Sequence, residues 1–111
     1  MIVLREIKYP AIYKHFKNNY YAVMGVSLKL IENNLISKEL NAYHTELNEY
    51  IKIYQINNKY FHEMEDKELV LYKALYDDKG IYARPKDMFL SKVDKNKYPN
   101  VEQEFRFELF K

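Results

Sequence analysis

Cysteine is absent from the 111 residues, and its absence removes two kinds of chemistry. No disulfide framework stabilises the fold, and no thiolate is available as a nucleophile or as a metal ligand. Cysteine-free chains are typical of reducing compartments, and the first ten residues lack the apolar run of a secretory leader. No segment approaches the roughly 20 apolar residues of a membrane span. We therefore expect a cytoplasmic protein.

Glycine and small nucleophiles are also scarce, which excludes most catalytic motifs. The chain has 2 Gly, and neither its serines nor Thr45 lies in a glycine-flanked elbow. His62 is the histidine with carboxylates at a helical ligand spacing, Glu65 and Asp66, and we interpret this run as a solvated acidic loop. We predict a non-enzymatic protein with no metal and no cofactor.

Tyrosine is what the chain has in abundance, with 12 Tyr and 6 Phe. A tyrosine ring offers an apolar body and a polar tip, so a tyrosine-rich chain suits a half-wet groove or an interface. AT-rich coding is the alternative explanation, because Asn, Lys and Ile are also frequent. The net charge of +2 is too small to make duplex DNA the expected partner. The length indicates one domain, residues 1–111.

Short runs of β-branched and aromatic residues separated by turn signals predict a mainly β fold. Gly25 interrupts a long strand and indicates a bulge, with Val23, Val26, Leu28 and Leu30 as its buried positions. Gly80 is expected to adopt positive φ in the loop of the central hairpin, which joins Leu69–Tyr76 to Ile81–Arg84. Both faces of the first strand of this hairpin are predicted to be buried. The predicted strands are Met1–Ile7, Ile12–Phe16, Tyr20–Leu30, Tyr50–Ile56, Lys59–His62, Leu69–Tyr76, Ile81–Arg84 and Phe105–Phe110, with one helical turn at Lys86–Phe89.

Residues 33 to 60 are ambiguous, because apolar side chains recur at steps of three and four, as on one face of a helix. We predict a helix over Ser37–Leu47, followed by the strand Tyr50–Ile56. If the segment packs on its own barrel, its stripe is core; if it projects, the stripe is an interface. The stripe consists of Tyr43, Leu47, Tyr50, Ile51 and Tyr54.

Several short motifs resemble one known family. They are Tyr13-Lys14-His15-Phe16-Lys17, Tyr21 to Val26, His62 with Glu65, Leu69 to Tyr76, Ile81 to Pro85, and Met88-Phe89. In order and spacing this pattern resembles the domain-of-unknown-function family DUF1653, whose members are short bacterial and phage proteins with an SH3-like β-barrel. The resemblance covers about residues 9–27 and 61–93 and implies no reaction.

The resemblance implies a small SH3-like β-barrel with an inserted helix and/or hairpin. Residues 1–30 and 61–111 would form the barrel, and about 31–60 would be an insertion, starting near residue 28. Tyr82 replaces the usual Trp of the family, and Asp77 replaces a Gly. Both departures affect the shape of any pocket.

Cationic side chains beside aromatic ones indicate a site for an anionic or nucleotide-like ligand, because arginine forks two donors onto a phosphate and tyrosine stacks on a base. The alternative is that Lys73 reaches the rim of the barrel and Arg84 pairs with Glu68 or Asp87. The expected phosphate ligands are Arg84, Lys73, His15 and Lys17, and the expected stacking residues are Tyr72, Tyr76 and Tyr82.

Three hypotheses follow for the function. The first is a homo-oligomeric barrel that binds a small anionic or nucleotide-like ligand, and in a phage this would suit sequestration of a nucleotide defence signal in the bacterial cytoplasm. The second is a protein-interaction module that uses the 33–60 segment, for example against a host defence complex. The third is a single-stranded nucleic-acid binder.

Overall fold

Eight strands and one helical turn make up the computed structural model, which describes residues 6–30, 38–63 and 67–110. The predicted strand at Met1–Ile7 lies mostly outside the described residues. The elements are β1 (Ala11–His15), β2 (Tyr20–Lys29), β3 (Lys38–His44), β4 (Glu49–Ile56), β5 (Lys59–His62), β6 (Leu69–Ala74), β7 (Ile81–Pro85), α1 (Lys86–Phe89) and β8 (Phe107–Leu109).

Six of the strands close into a barrel. The order is β5-β4-β3-β7-β6-β2, and β2 returns to β5 through a parallel pairing of Ser27 to Lys29 with Tyr60 to His62. Closure removes the free edges of a sheet. The first half of β2 instead pairs with β1, and β1 pairs with β8. The prediction of a mainly β barrel is confirmed, and the 38–56 segment supplies two of its six strands.

The central hairpin forms as the sequence predicts. Strands β6 and β7 pair antiparallel, with Leu69 opposite Pro85 at one end and Lys73 opposite Ile81 at the other. Gly80 has φ +100° in the loop between them. Residues Leu69 to Tyr72 are buried in succession, so both faces of β6 are covered. Pro85 precedes the single turn α1, which inserts Phe89 into the core.

Gly25 marks a bulge, as predicted, because the register of β2 against β6 shifts between Val23 and Gly25. A Cβ on Gly25 would lie 3.0 Å from the Tyr60 ring of β5, closer than ordinary van der Waals contact, so any other residue here would displace that ring. The predicted buried positions are partly wrong. After the bulge, Ser27 is buried and Leu28 is 41% exposed. Ser27 faces inward because its hydroxyl forms a hydrogen bond with the buried His62 where β2 pairs with β5 (Oγ to Nδ1, 2.7 Å).

The predicted helix over Ser37–Leu47 is wrong, because β3 occupies Lys38–His44. β3 pairs with β4 over seven residues and with β7 over three, and this pairing overrides the local pattern. The inward residues of β3 are Leu40, Ala42 and His44. Alanine is small and histidine is polar, so their alternation is hard to recognise in the sequence.

Two separate clusters of buried side chains lie on opposite faces of β6 and β7. The barrel core fills the ring, while the aromatic core lies on the outer face, beneath β1, β8 and α1. The buried members of the barrel core are Ala42, Ile51, Ile53, Leu69, Leu71 and Ala83. Those of the aromatic core are Tyr13, Val23, Val70, Tyr72, Phe89 and Phe107.

Candidate functional site

A cavity of about 380 Å³ opens beside the aromatic core, between the end of β1, the end of β7 and the segment leading into β8. Its volume lies within the usual range for small-ligand pockets, roughly 300 to 1,000 Å³. The lining residues, called here the cationic cavity, are His15, Phe16, Lys17, Arg84, Val93, Asp94, Lys97, Tyr98 and Arg106.

Arg84 is held in this cavity by the aromatic core. It follows Tyr82 on the outer face of β7, and its Nε donates a hydrogen bond to the Tyr72 hydroxyl at 3.1 Å. Its guanidinium lies 5.7 Å from the centroid of the Phe107 ring. Since Tyr72 and Phe107 are both buried, they restrict the orientation of the guanidinium before any ligand arrives.

The cations of the cavity lack carboxylate partners in the part of the chain that the structure describes. None of the ion pairs formed there involves Arg84, Arg106, Lys17 or Lys97. Glu68, the partner considered for Arg84, pairs instead with Lys86 at 3.2 Å. The cavity's carboxylate, Asp94, accepts a hydrogen bond from the backbone N–H of Asn96 at 3.0 Å. Four cations therefore face one carboxylate.

The electrostatics of His15 reflect this excess of positive charge. Burial, followed by the charges of Arg84, Lys17 and Arg106, lowers its pKa from 6.5 to about 4. Its Nδ1 accepts the Lys17 backbone N–H at 3.1 Å. His15 is therefore neutral at pH 7, and it contributes a polar ring to the site instead of the charge considered from the sequence.

Aromatic rings form part of the cavity wall. Phe16 lies between the His15 ring and the Tyr98 ring, with centroids at 4.4 and 4.9 Å. The Lys17 ammonium is 5.9 Å from the Phe16 ring centroid and 5.8 Å from that of Tyr98. Rings and cations at this spacing suit a ligand that combines a planar group with an anion.

The structure brings together three of the seven ligand residues predicted from the sequence: His15, Lys17 and Arg84. Tyr72 is buried and supports Arg84, and Tyr82 stacks on Tyr72 with centroids 5.6 Å apart; neither lines the cavity.

The remaining two predicted ligand residues lie elsewhere. Lys73 lies on the opposite face of β6 from Tyr72, where its ammonium reaches Asp78 at 2.9 Å. It extends to the rim, as its 45% exposed side chain shows. Tyr76 is exposed, and its hydroxyl lies 2.9 Å from that of Tyr21. Tyr76 borders a second, more apolar hollow with Leu75 and Phe110.

The predicted interface stripe is divided by the strand geometry. Ile51 belongs to the barrel core, whereas Tyr50 and Tyr54 lie on the outer face of β4. Tyr43 packs on Tyr50 across β3 and β4, with centroids 5.2 Å apart. Leu47 is exposed in the turn between these strands.

Sequence reasoning missed Arg106, Lys97 and Tyr98 as residues of the cavity. Arg106 lies in an alternating run, Phe105 to Phe107, and such alternation indicates a closing strand. Lys97 and Tyr98 lie in a polar segment that resembles a linker. An arginine between two phenylalanines was the available signal, since such a charge needs a reason to sit beside a core.

His62 and His44 are both buried, and both form hydrogen bonds. His62 forms a hydrogen bond with Ser27. Glu65 and Asp66, the carboxylates at a helical spacing from His62, lie outside the described residues. The Nδ1 atom of His44 accepts the backbone N–H groups of Glu46 and Leu47 at 3.2 Å each. Among residues 6–30, 38–63 and 67–110, no three His, Asp or Glu side chains are grouped as a metal site. No helix in these ranges is long and apolar enough to span a membrane.

Comparison with known proteins identifies a family. A family model described as "Protein of unknown function (DUF1653)" matches residues 50–109. No curated protein and no solved structure matches the chain.

Proposed function

The chain belongs to the DUF1653 family, and we propose that it is a non-enzymatic binding protein whose cationic cavity holds a small anionic ligand with a planar, nucleotide-like part. One observation carries the proposal: Arg84, Arg106, Lys17 and Lys97 line one hollow and form no ion pair with the described carboxylates. Clustered cations repel one another, and a bound anion relieves that repulsion.

Arginine is the principal anion-binding group in this proposal. With Nε engaged by Tyr72, the guanidinium of Arg84 retains the donors of its two terminal nitrogens for a phosphate or carboxylate. Arg106 supplies a second guanidinium, and Lys17 and Lys97 add positive charge to the lining. The planar part of the ligand would contact Phe16 and Tyr98.

Binding, instead of a reaction, fits the protonation chemistry of the cavity. His15 has a pKa of about 4, and its Nδ1 already accepts a backbone N–H. Asp94 is engaged in its own turn. A general base works best with a pKa near the working pH. The phage-borne defence role, the homo-oligomeric state and the cytoplasmic location stay predictions, since they rest on the resemblance and the composition.

Thermal unfolding with added pyrophosphate and AMP tests the proposal, because a ligand that binds only the folded state raises the melting temperature. We expect both probes to raise the melting temperature. Titration calorimetry should show that AMP binds more tightly than pyrophosphate. Arg106→Gln should weaken AMP binding by about 2 kcal/mol, or roughly thirtyfold in Kd, as expected for a charge-assisted hydrogen bond.

A matched pair of lysine variants controls for net charge. Lys97→Gln removes a cation of the cavity, whereas Lys79→Gln removes an exposed cation from the β6–β7 loop. Only Lys97→Gln should weaken binding. Unchanged melting temperatures with both probes at millimolar concentration would contradict the proposal. Equal losses of AMP affinity in the two lysine variants would also contradict it.

An interaction module remains the second candidate function, supported by exposed apolar groups on the β3–β4 hairpin. Leu47 is 46% exposed, and Tyr50 is 68% exposed. Replacing both with Ser should abolish partner capture under this reading while AMP binding persists.

A further inference from the structure

A row of tyrosine rings crosses the outer face of the barrel over five adjacent strands. Each ring contacts the next, with centroid distances of 5.2, 6.5, 5.6, 5.4 and 5.7 Å. In spatial order this tyrosine row consists of Tyr50, Tyr43, Tyr82, Tyr72, Tyr21 and Tyr76.

The row follows from the strand register. Tyr50 pairs with Tyr43, Tyr43 with Tyr82, and Tyr82 with Tyr72, so these four rings occupy directly opposed positions on β4, β3, β7 and β6. Opposed side chains on one face of a sheet lie about 5 Å apart, which is the distance that ring contacts need. Tyr21 continues the row from β2, where it pairs with Ala74.

The tyrosine row leads into the cationic cavity without a break in the ring contacts. The Tyr21 ring lies 6.2 Å from the His15 ring, and His15 in turn contacts Phe16, whose ring meets Tyr98. Arg84 of the cavity also contacts the tyrosine row, because its Nε donates a hydrogen bond to the Tyr72 hydroxyl. Row and cavity are therefore connected by ring contacts and by the Arg84–Tyr72 hydrogen bond, with Tyr72 buried and the exposed rings at the two ends of the row.

The phenols of Tyr21, Tyr72 and Tyr82 carry no charge at neutral pH. Burial raises the pKa of Tyr21, and the Tyr76 hydroxyl adds to that effect. Burial also raises the pKa values of Tyr72 and Tyr82. A polyanion lying along the row therefore meets no negative charge at these three tyrosines. Tyr50 and Tyr76, at the two ends, are 68% and 57% exposed and offer ring surface to a ligand.

We propose that the ligand of this site is a single-stranded oligonucleotide, with a phosphate in the cationic cavity and bases stacked on the exposed rings of the tyrosine row. The inference rests on the proposed function, since it extends the same anion site. Proteins that bind single strands combine a positively charged groove with aromatic side chains on which bases stack. A proline-rich peptide also docks on aromatic grooves, but it offers no anion for the four cavity cations.

Binding of fluorescein-labelled oligothymidylates of increasing length, from the dinucleotide to about twelve nucleotides, tests the inference. Affinity should rise with length and then level off once the row is filled. The chain has no Trp, so quenching of its intrinsic tyrosine emission reports stacking directly. The mononucleotide dTMP serves as the probe for the cavity alone.

A pair of variants separates the tyrosine row from the cavity. The double variant Tyr43→Ser, Tyr50→Ser should lower affinity for the longer oligothymidylates by about tenfold while leaving dTMP binding unchanged. Tyr9→Ser is the control, because Tyr9 is 55% exposed and contacts no ring of the row. Arg106→Gln should weaken both ligands.

Each alternative outcome has a distinct meaning. Equal affinity for dTMP and for every oligothymidylate overturns the inference and leaves the proposed function standing. Failure of dTMP and of all oligothymidylates to bind overturns both. Oligothymidylate affinity that is unchanged by the Tyr43 and Tyr50 substitutions also overturns the inference, as does displacement of the strand from the row by a proline-rich peptide.

Discussion

The barrel core and the aromatic core use the same two strands, β6 and β7, for different purposes. The barrel core is aliphatic, and its buried members carry no polar atom on their side chains. The aromatic core contains two buried tyrosines and two buried phenylalanines. Rings with polar tips can bury a face and still hold a neighbouring group by a hydrogen bond. The cationic cavity lies beside the aromatic core.

The difference appears residue by residue along each strand. On β6, Leu71 faces the closed interior, while Tyr72 faces outward and orients Arg84. On β7, Ala83 faces inward while Tyr82 and Arg84 face outward. Alternation along a strand thus separates stability from binding within a few residues.

The largest expected effect is the loss of barrel packing. Leu71→Ala should lower the free energy of unfolding by about 2 to 5 kcal/mol, because it leaves a cavity in a fully buried site. Urea unfolding measures this change, and AMP titration under conditions where the variant is folded should give the wild-type Kd. A loss of AMP affinity in the folded variant would break the separation between the two cores.

A smaller effect is expected from removing the hydroxyl that holds Arg84. Tyr72→Phe should lower the free energy of unfolding by about 1 kcal/mol and weaken AMP binding, because Arg84 loses its support. The control is Tyr13→Phe in the same core, whose hydroxyl accepts the Lys8 amide at 3.0 Å. Tyr13→Phe should cost similar stability and leave AMP affinity unchanged. Equal affinity losses in both variants would contradict a specific role for Tyr72.

The smallest expected effect is on the pH dependence of stability. Because the pKa of folded His15 lies near 4, below its ordinary 6.5, the neutral ring stabilises the folded state above about pH 6.5. That contribution is lost as the pH falls through about 4. Melting temperatures from pH 7 to pH 4 should therefore decline more for the wild type than for His15→Gln. The carboxylates titrate in both proteins, so parallel curves would contradict the assignment.

The sequence predicted the central hairpin, the bulge at Gly25 and the turn after Pro85 because these depend on local chemistry. Gly80 needs positive φ, and Pro85 restricts its neighbours, whatever the rest of the chain does. The helix over Ser37–Leu47 was wrong because the inward positions of β3 have little hydrophobic contrast, and the pairing partners that decide its structure lie far away in sequence.

The candidate site was predicted in part. His15, Lys17 and Arg84 were found because each lies within or beside an aromatic run, and a cation there is unusual. Lys73 met the same criterion but lies on the other face of its strand, where Asp78 satisfies it. Arg106 and Lys97 come from a segment whose position depends on how β8 pairs with β1.

By itself, the sequence determined the strand-rich composition, the turns and the family, because these are properties of neighbouring residues. The tertiary structure alone decided that β2 closes on β5, that the cations of three distant segments face one hollow, and that tyrosines of five strands form one row. Such arrangements depend on strand register, and a shift of one residue would turn every side chain to the opposite face.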